Sequence, residues 1–197
     1  EDPHFEGPHF QSDFATAHID AAQRLFEQGD AYYCDLSGEQ IQERAKELGI
    51  SGYDGYSRER GLGPAPGRVL RFRVPSGATV VDDLVRGEVT FDNATIEDFV
   101  LLRGNGTPVF LLANVVYDIE MGITHVIRAE EHLPNTPRQI FIFAGLGAPL
   151  PQFAHLPVVA EPGSRVKLSK RKLDKYLKNP EFAELYQHGR RIADRLK

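Results

Sequence analysis

Ile123-Thr124-His125-Val126-Ile127-Arg128 reads as a short apolar strand, and its order with the next two elements decides the fold. A helix-length segment runs from Thr136 to Leu146, and a second apolar strand from Phe153 to Val159. Strand, helix, strand in that order predicts a parallel α/β layer. Upstream, Val109 to Asn114 reads as a strand entered from an Asn105-Gly106 hairpin turn, with a short helix over Val115 to Met121. Two or three strands with both edges open do not complete a parallel sheet, so further strands are implied.

Further upstream the period changes. Leu70, Phe72 and Val74 alternate with Arg71 and Arg73, which predicts a strand with one apolar and one basic face. Gly87 to Phe91 and Asp98 to Arg103 add two more strands, making a small β-rich region. Residues 51–67 are rich in glycine and proline and read as a loop. Ser37 caps a helix carrying Ile41, Ala45 and Leu48 that Gly49 closes. Tyr32-Tyr33-Cys34 is strand-like, and Ala17, Ala21, Ala22, Leu25 and Phe26 mark a helix that ends at Gly29. Before it, Pro3, Gly7 and Pro8 break regular structure. At the other end Leu173, Tyr176, Leu177, Phe182, Leu185 and Ile192 resume helical spacing.

Hydrophobic residues are 41% and charged residues 26% of the chain, ordinary for a packed domain, so global disorder is excluded. Apolar runs such as Val109 to Ala113 are too short to span a bilayer, and no secretion leader opens the sequence. The lone Cys34 excludes an internal disulfide framework and fits a reducing cytoplasm. Net charge is -5, yet residues 165–197 hold 11 Lys and Arg against 4 Asp and Glu. That local excess permits a phosphate-facing surface; a solvated helix face would read the same way.

Several standard sites are missing: a G-x-x-x-x-G-K-[ST] loop, a G-x-G-x-x-G turn, H-E-x-x-H and G-x-S-x-G all fail to match. Lys167-Leu168-Ser169-Lys170-Arg171 stands apart, with three cations around one hydroxyl after a Pro162-Gly163 turn. Such a loop can fold over a triphosphate and neutralise the charge that develops as pyrophosphate leaves.

That KLSKR segment is similar to the second signature of class I aminoacyl-tRNA synthetases, usually written K-M-S-K-S. The runs Leu111 to Val116 and Met121 to Pro137, with Phe153-Ala154-His155-Leu156-Pro157 and Tyr53-Asp54-Gly55, resemble bacterial-type glutamyl-tRNA synthetases in order along essentially the whole chain. The stretch Ile123 to Pro137 favours glutamyl over glutaminyl enzymes. The resemblance implies a partial class I nucleotide-binding (Rossmann-like) fold with an inserted α+β lobe. Residues 1–33 and 109–171 would belong to the nucleotide-binding domain, 34–108 to the lobe that meets the tRNA acceptor end, and 172–197 to a helical stem-contact region.

It also implies ATP-dependent activation of L-glutamate and transfer to tRNA(Glu), with MgATP as substrate, in a cytoplasmic monomer. By that resemblance Lys167, Ser169 and Lys170 act on the ATP phosphates, with Arg171, Glu131 and His132 beside the nucleotide. Arg128, Asn114 and Phe110 would line the glutamate pocket, and Arg71, Arg73, Lys172 and Lys175 would meet tRNA. Plainer alternatives stand beside these roles: Asn114 capping a helix, Arg128 pairing with Glu130 or Glu131, His132 serving structure.

There are departures. The H-I-G-H signature expected before residue 1 is not in the sequence, so this segment is expected to be inactive alone. Tyr33-Cys34-Asp35-Leu36 keeps one thiol of a Y-C-x-C zinc site, and one thiol cannot hold a structural zinc. Phe110 stands where tyrosine is frequent, and Tyr117-Asp118 where an aspartate pair is. Competing readings are a paralogue that attaches glutamate to queuosine in tRNA(Asp), and a non-catalytic remnant that only binds tRNA or a partner.

Overall fold

The computed structural model describes Gly7, residues 9–158, Ala160, Lys167 and residues 169–195. Leu168, the Pro162-Gly163 turn, the end of the expected strand at Val159, the breaks at Pro3 and Pro8, and the Lys170 side chain lie outside the described residues. The described residues fall into two compact units, those within 1–128 and 132–155 and those within 129–131 and 156–197.

In the first unit, a 3-10 turn at Gln11–Phe14 leads into α1, Ala15–Gln28, which Gly29 ends in the left-handed conformation at φ 86°. β1 (Ala31–Cys34) comes next, then α2 (Gly38–Leu48). Ser37 accepts from the Gln40 amide while Gln40 accepts from the Ser37 amide, closing a capping box that satisfies two otherwise orphan donors. β2 (Val69–Phe72) lies antiparallel between β1 and β5 (Val100–Leu102).

The second sheet contains the main surprise. β3 (Ala78–Asp83) was not legible as a strand, yet it pairs antiparallel with β4 (Gly87–Asp92) and parallel with β7 (Gln152–Leu156) at Asp83 and Phe153. With β6 (His125–Ala129) the order is β4-β3-β7-β6, so the layer is mixed rather than wholly parallel. The inward positions of β3 are Thr79, Val81 and Asp83, while Val80 faces out at 50% exposure. Two of three buried positions are polar, which defeats a pattern reading. Their partners are distant in sequence: Thr79 donates to Asn93 at 2.7 Å, and Asp83 accepts from His155.

A second difference concerns Val109 to Asn114. The expected strand and the short helix after it are one helix, α3, Phe110–Glu120. A five-residue apolar run fits either period, and burial of Leu112, Val115 and Val116 on one side shows that the helical one wins. The Asn105-Gly106 turn does form, Gly106 at φ 80° donating to Arg103, but the hairpin shrinks to a single Leu102–Pro108 bridge.

α4 (Thr136–Gly145) packs on α3, and α1 packs on α3. Leu25, Leu70, Leu101, Leu112, Val115, Ile142 and Phe143 form the centre of the core, all fully buried or within 2% of it. Each such side chain stabilises the fold by roughly 1.5–3 kcal/mol. Gly104 is required by close approach, since a Cβ there would sit 2.6 Å from the Gly67 carbonyl oxygen.

The second unit holds a 3-10 turn at Lys170–Lys172, α5 (Leu173–Tyr176) and α6 (Pro180–Arg195). Tyr176 is its buried anchor, edge-on to Phe182 with ring centroids 5.7 Å apart. No helix of the described residues is long and apolar enough to cross a membrane.

Candidate functional site

Strand β6 delivers Arg128 to the wall of a cavity of about 330 Å³ lined by Phe110, Asn114, Asp118, His125, Arg128 and His132 with neighbouring apolar residues. Phe110 and Asn114 lie four residues apart on α3, so one helix face presents both. Phe110 is 61% exposed at the helix start. Asn114 is inside the helix rather than at its cap.

The guanidinium of Arg128 is tightly held. Nε donates to His155 Nε2 at 3.0 Å; Nη2 donates to Thr136 Oγ1 at 2.9 Å and Gln139 Oε1 at 2.6 Å, with a longer contact to the His132 carbonyl. Gln139 passes the connection on by donating to Asn114 Oδ1. These are the partners of Arg128; a surface pair with Glu130 or Glu131 is not how it is used. Nη1 carries no hydrogen bond to protein among the described residues. Burial pushes the guanidinium below its usual value, against which Asp118 and Asp83 act, and it stays charged at neutral pH.

Asp118 adds a carboxyl to the cavity, one helical turn past Asn114. Burial pushes its carboxyl up, and Arg128 pulls it back down. A cation and a carboxyl in one cleft suit a ligand with both signs, as an amino acid has. In the sequence Asp118 stands out only as half of the Tyr117-Asp118 departure. His155 and Asp83 were also missed as site residues, although the phrase containing His155 was a signal.

A larger cavity of about 590 Å³ lies between the 50–58 loop and residues 94–98. Its carboxylates are already engaged: Asp54 by Arg44 at 2.6 Å, Glu97 by the Tyr53 amide at 2.6 Å, Asp98 by Arg58 and Tyr32. The Arg128 cavity is therefore the better placed for chemistry.

Arg71 requires a correction. The expected basic face would leave it open to phosphate, but it is 7% exposed, donates to the Asp98 carbonyl at 2.7 Å and stacks over Tyr53 at 4.0 Å. Its charge is committed inside the fold. Arg73 is half-buried and pairs with Glu59 at 2.6 Å.

In the second unit, Lys167 Nζ meets Glu131 Oε1 at 2.5 Å, both side chains substantially exposed. The Ser169 amide donates to the Tyr176 hydroxyl at 3.2 Å, which ties Ser169 to α5. Arg171, Lys172 and Lys175 are exposed. Lys172 ends the 3-10 turn and Lys175 belongs to α5, so the two lysines sit on different elements.

The family described as tRNA synthetases class I (E and Q), catalytic domain, matches residues 2–186. A glutamate–tRNA ligase of Thermobifida fusca is 56% identical over 186 residues, covering 94% of this chain and 38% of that protein. One from Salinispora tropica is 60% identical over 169 residues, covering 85% of this chain and 36% of that protein. Among solved structures, glutamate-tRNA synthetase from Elizabethkingia anophelis superposes with a TM-score of 0.74 at 29% identity, covering 89% of this chain and 40% of that one. A glutamate tRNA ligase from Elizabethkingia meningosepticum, in complex with its amino acid, gives 0.70 at 30% identity over 89% of this chain and 39% of that one. The chain thus spans well under half the length of these relatives.

Proposed function

The chain belongs to the class I tRNA synthetases for glutamate and glutamine, catalytic domain, and from that premise we propose that it is the part of a glutamate–tRNA ligase that grips glutamate and the ATP phosphates. The reaction is attack of the glutamate α-carboxylate on the α-phosphorus of MgATP, releasing pyrophosphate, followed by transfer of the glutamyl group to tRNA(Glu). A carboxylate of pKa about 4 is already ionised at neutral pH, so no general base is needed. Positioning and electrostatics must supply the rate.

The observation that carries this reading is Arg128. Two corners of its guanidinium are fixed by protein, and the third is left to a cavity that also holds Asn114 and Asp118. A guanidinium edge meets a carboxylate oxygen through charge-assisted bonds, which makes the ligand's side-chain carboxylate its natural partner. Asn114, oriented by Gln139, offers an amide edge, and Asp118 a carboxyl for the ammonium. Lys167, Ser169 and Lys170 act on the triphosphate, with Glu131, His132 and Arg171 beside the nucleotide. Residues 34–108 serve the acceptor end of tRNA, and Arg73, Lys172 and Lys175 contact its phosphates. The protein works in the cytoplasm as a monomer.

Glutamate-dependent ATP–pyrophosphate exchange tests this, run with tRNA(Glu) on the protein extended to the length of its relatives. Exchange with glutamate, silenced by Arg128→Leu, is the expected result. Silence of the extended protein would sink the reading, and charging of tRNA(Asp) instead would move it to the queuosine paralogue.

A further inference from the structure

Asp83 and His155 are a deeply buried titratable pair in the first unit, at 2% and 0% exposure, and the reaction above gives Asp83 no role. Asp83 Oδ1 accepts three backbone amides, from Val85 at 3.0 Å, Arg86 at 2.9 Å and His155 at 3.1 Å. Asp83 Oδ2 faces His155 Nδ1 at 2.6 Å. A carboxylate oxygen can only accept, so Nδ1 carries a proton. On the other side of the ring, Nε2 faces Arg128 Nε at 3.0 Å. An arginine Nε always carries its hydrogen, so Nε2 must be bare. The two neighbours therefore fix one tautomer from opposite sides; Thr136 Oγ1, 3.3 Å from Nε2, can turn its hydroxyl to suit.

We infer that Asp83 and His155 are positioning residues for the ligand carboxylate: Asp83 locks the imidazole with Nε2 as an acceptor, and that acceptor aims the Arg128 guanidinium. The geometry supports this at each link. The parallel pairing that sets Asp83 opposite Phe153 brings the carboxylate beside His155 on β7. Thr136 and Gln139, three apart on α4, accept from Nη2. A planar group held along Nε and Nη2 cannot swivel, so the direction of Nη1 is set by the ring. This rests on the reading of Arg128 as the carboxylate grip.

The replacement Asp83→Asn gives the sharpest test. Three backbone amides demand an oxygen at the Oδ1 position, which puts the new amide nitrogen against Nδ1 as a donor. The ring must then move its proton to Nε2, where it meets the Arg128 N–H head-on. The same tautomer reversal accompanies an Asp→Asn change behind a catalytic histidine in serine proteases. Side-chain nitrogen NMR of the protein reads the ring directly. The expected wild-type spectrum shows a protonated Nδ1 and a bare Nε2, with the reverse in Asp83→Asn.

Glutamate titration, monitored on the Arg128 Nε–H signal, should weaken roughly ten- to a hundredfold in Asp83→Asn and in His155→Leu. His155→Gln, which keeps an acceptor where Nε2 was, should recover most of that loss. A protonated Nε2 in the wild type, with glutamate still bound, overturns the positioning role alone. An unmoved Arg128 signal with the expected tautomer overturns the reading of the cavity, and the positioning role with it. Equal loss in His155→Gln and His155→Leu shows a merely structural histidine.

Discussion

Arg128 and the lysines after residue 166 carry the same charge and are built in opposite ways. Arg128 is half-buried, with side-chain acceptors on His155, Thr136 and Gln139 fixing its plane. Lys167, Lys172 and Lys175 are exposed, and the Ser169 amide is anchored by one tyrosine hydroxyl. A group that must recognise a small carboxylate depends on direction, because bond strength falls steeply with misalignment. A group that neutralises a polyphosphate depends mostly on charge, which a long flexible stem can deliver. On the proposed reading, preorganisation is concentrated where selectivity is needed.

The largest expected effect tests the directed side of that contrast. Arg128→Leu should reduce glutamate-dependent pyrophosphate exchange by roughly a hundredfold or more, because it also leaves the acceptors of Gln139 and His155 without their donor. Exchange within a few-fold of wild type would show that the plane of this group is irrelevant.

Asp83 provides a stability measure of the same interior. Burial alone would push its carboxyl up, but the His155 ring and the amides of Arg86, His155 and Val85 outweigh it and hold the pKa at about 2. The folded value is depressed, so the contribution is fully present above the unfolded carboxyl range and is lost as pH falls through about 2. Urea unfolding between pH 5 and pH 2 should therefore lose about 2 kcal/mol through this residue. In Asp83→Asn that part of the pH dependence should disappear; an unchanged profile would remove the carboxylate from the account.

The exposed side should behave differently. Lys167→Ala removes a surface pair with Glu131, so unfolding free energy should change by less than about 1 kcal/mol, while the rate of the ATP-dependent step falls roughly tenfold. A large stability loss with normal rate would reverse that assignment. Smallest of all, Lys175→Ala should leave glutamate activation unchanged and lower the salt slope of tRNA binding by about one. A slope equal to wild type would exclude Lys175 from the phosphate contacts.

What the residues determined on their own is the local punctuation and the family. Ser37 with Gln40, Gly29 and Gly49 mark helix ends through short-range bonds and allowed φ, so neighbours in sequence suffice. The run from Ile123 to Pro137 and the KLSKR segment identified the family because each is contiguous. Phe110, Asn114 and Arg128, expected at a glutamate pocket, and His132, expected beside the nucleotide, line one cavity. Tertiary structure alone decided the rest. β3 is a strand because Asn93 and His155 satisfy its buried Thr79 and Asp83, and those partners lie 14 and 72 residues away. Arg71 faces inward because Tyr53 and the Asp98 carbonyl accept its charge, although its place in the alternation suggested solvent. Burying a polar side chain costs least when a partner meets it there, and hydrophobic periodicity carries no record of where that partner will come from.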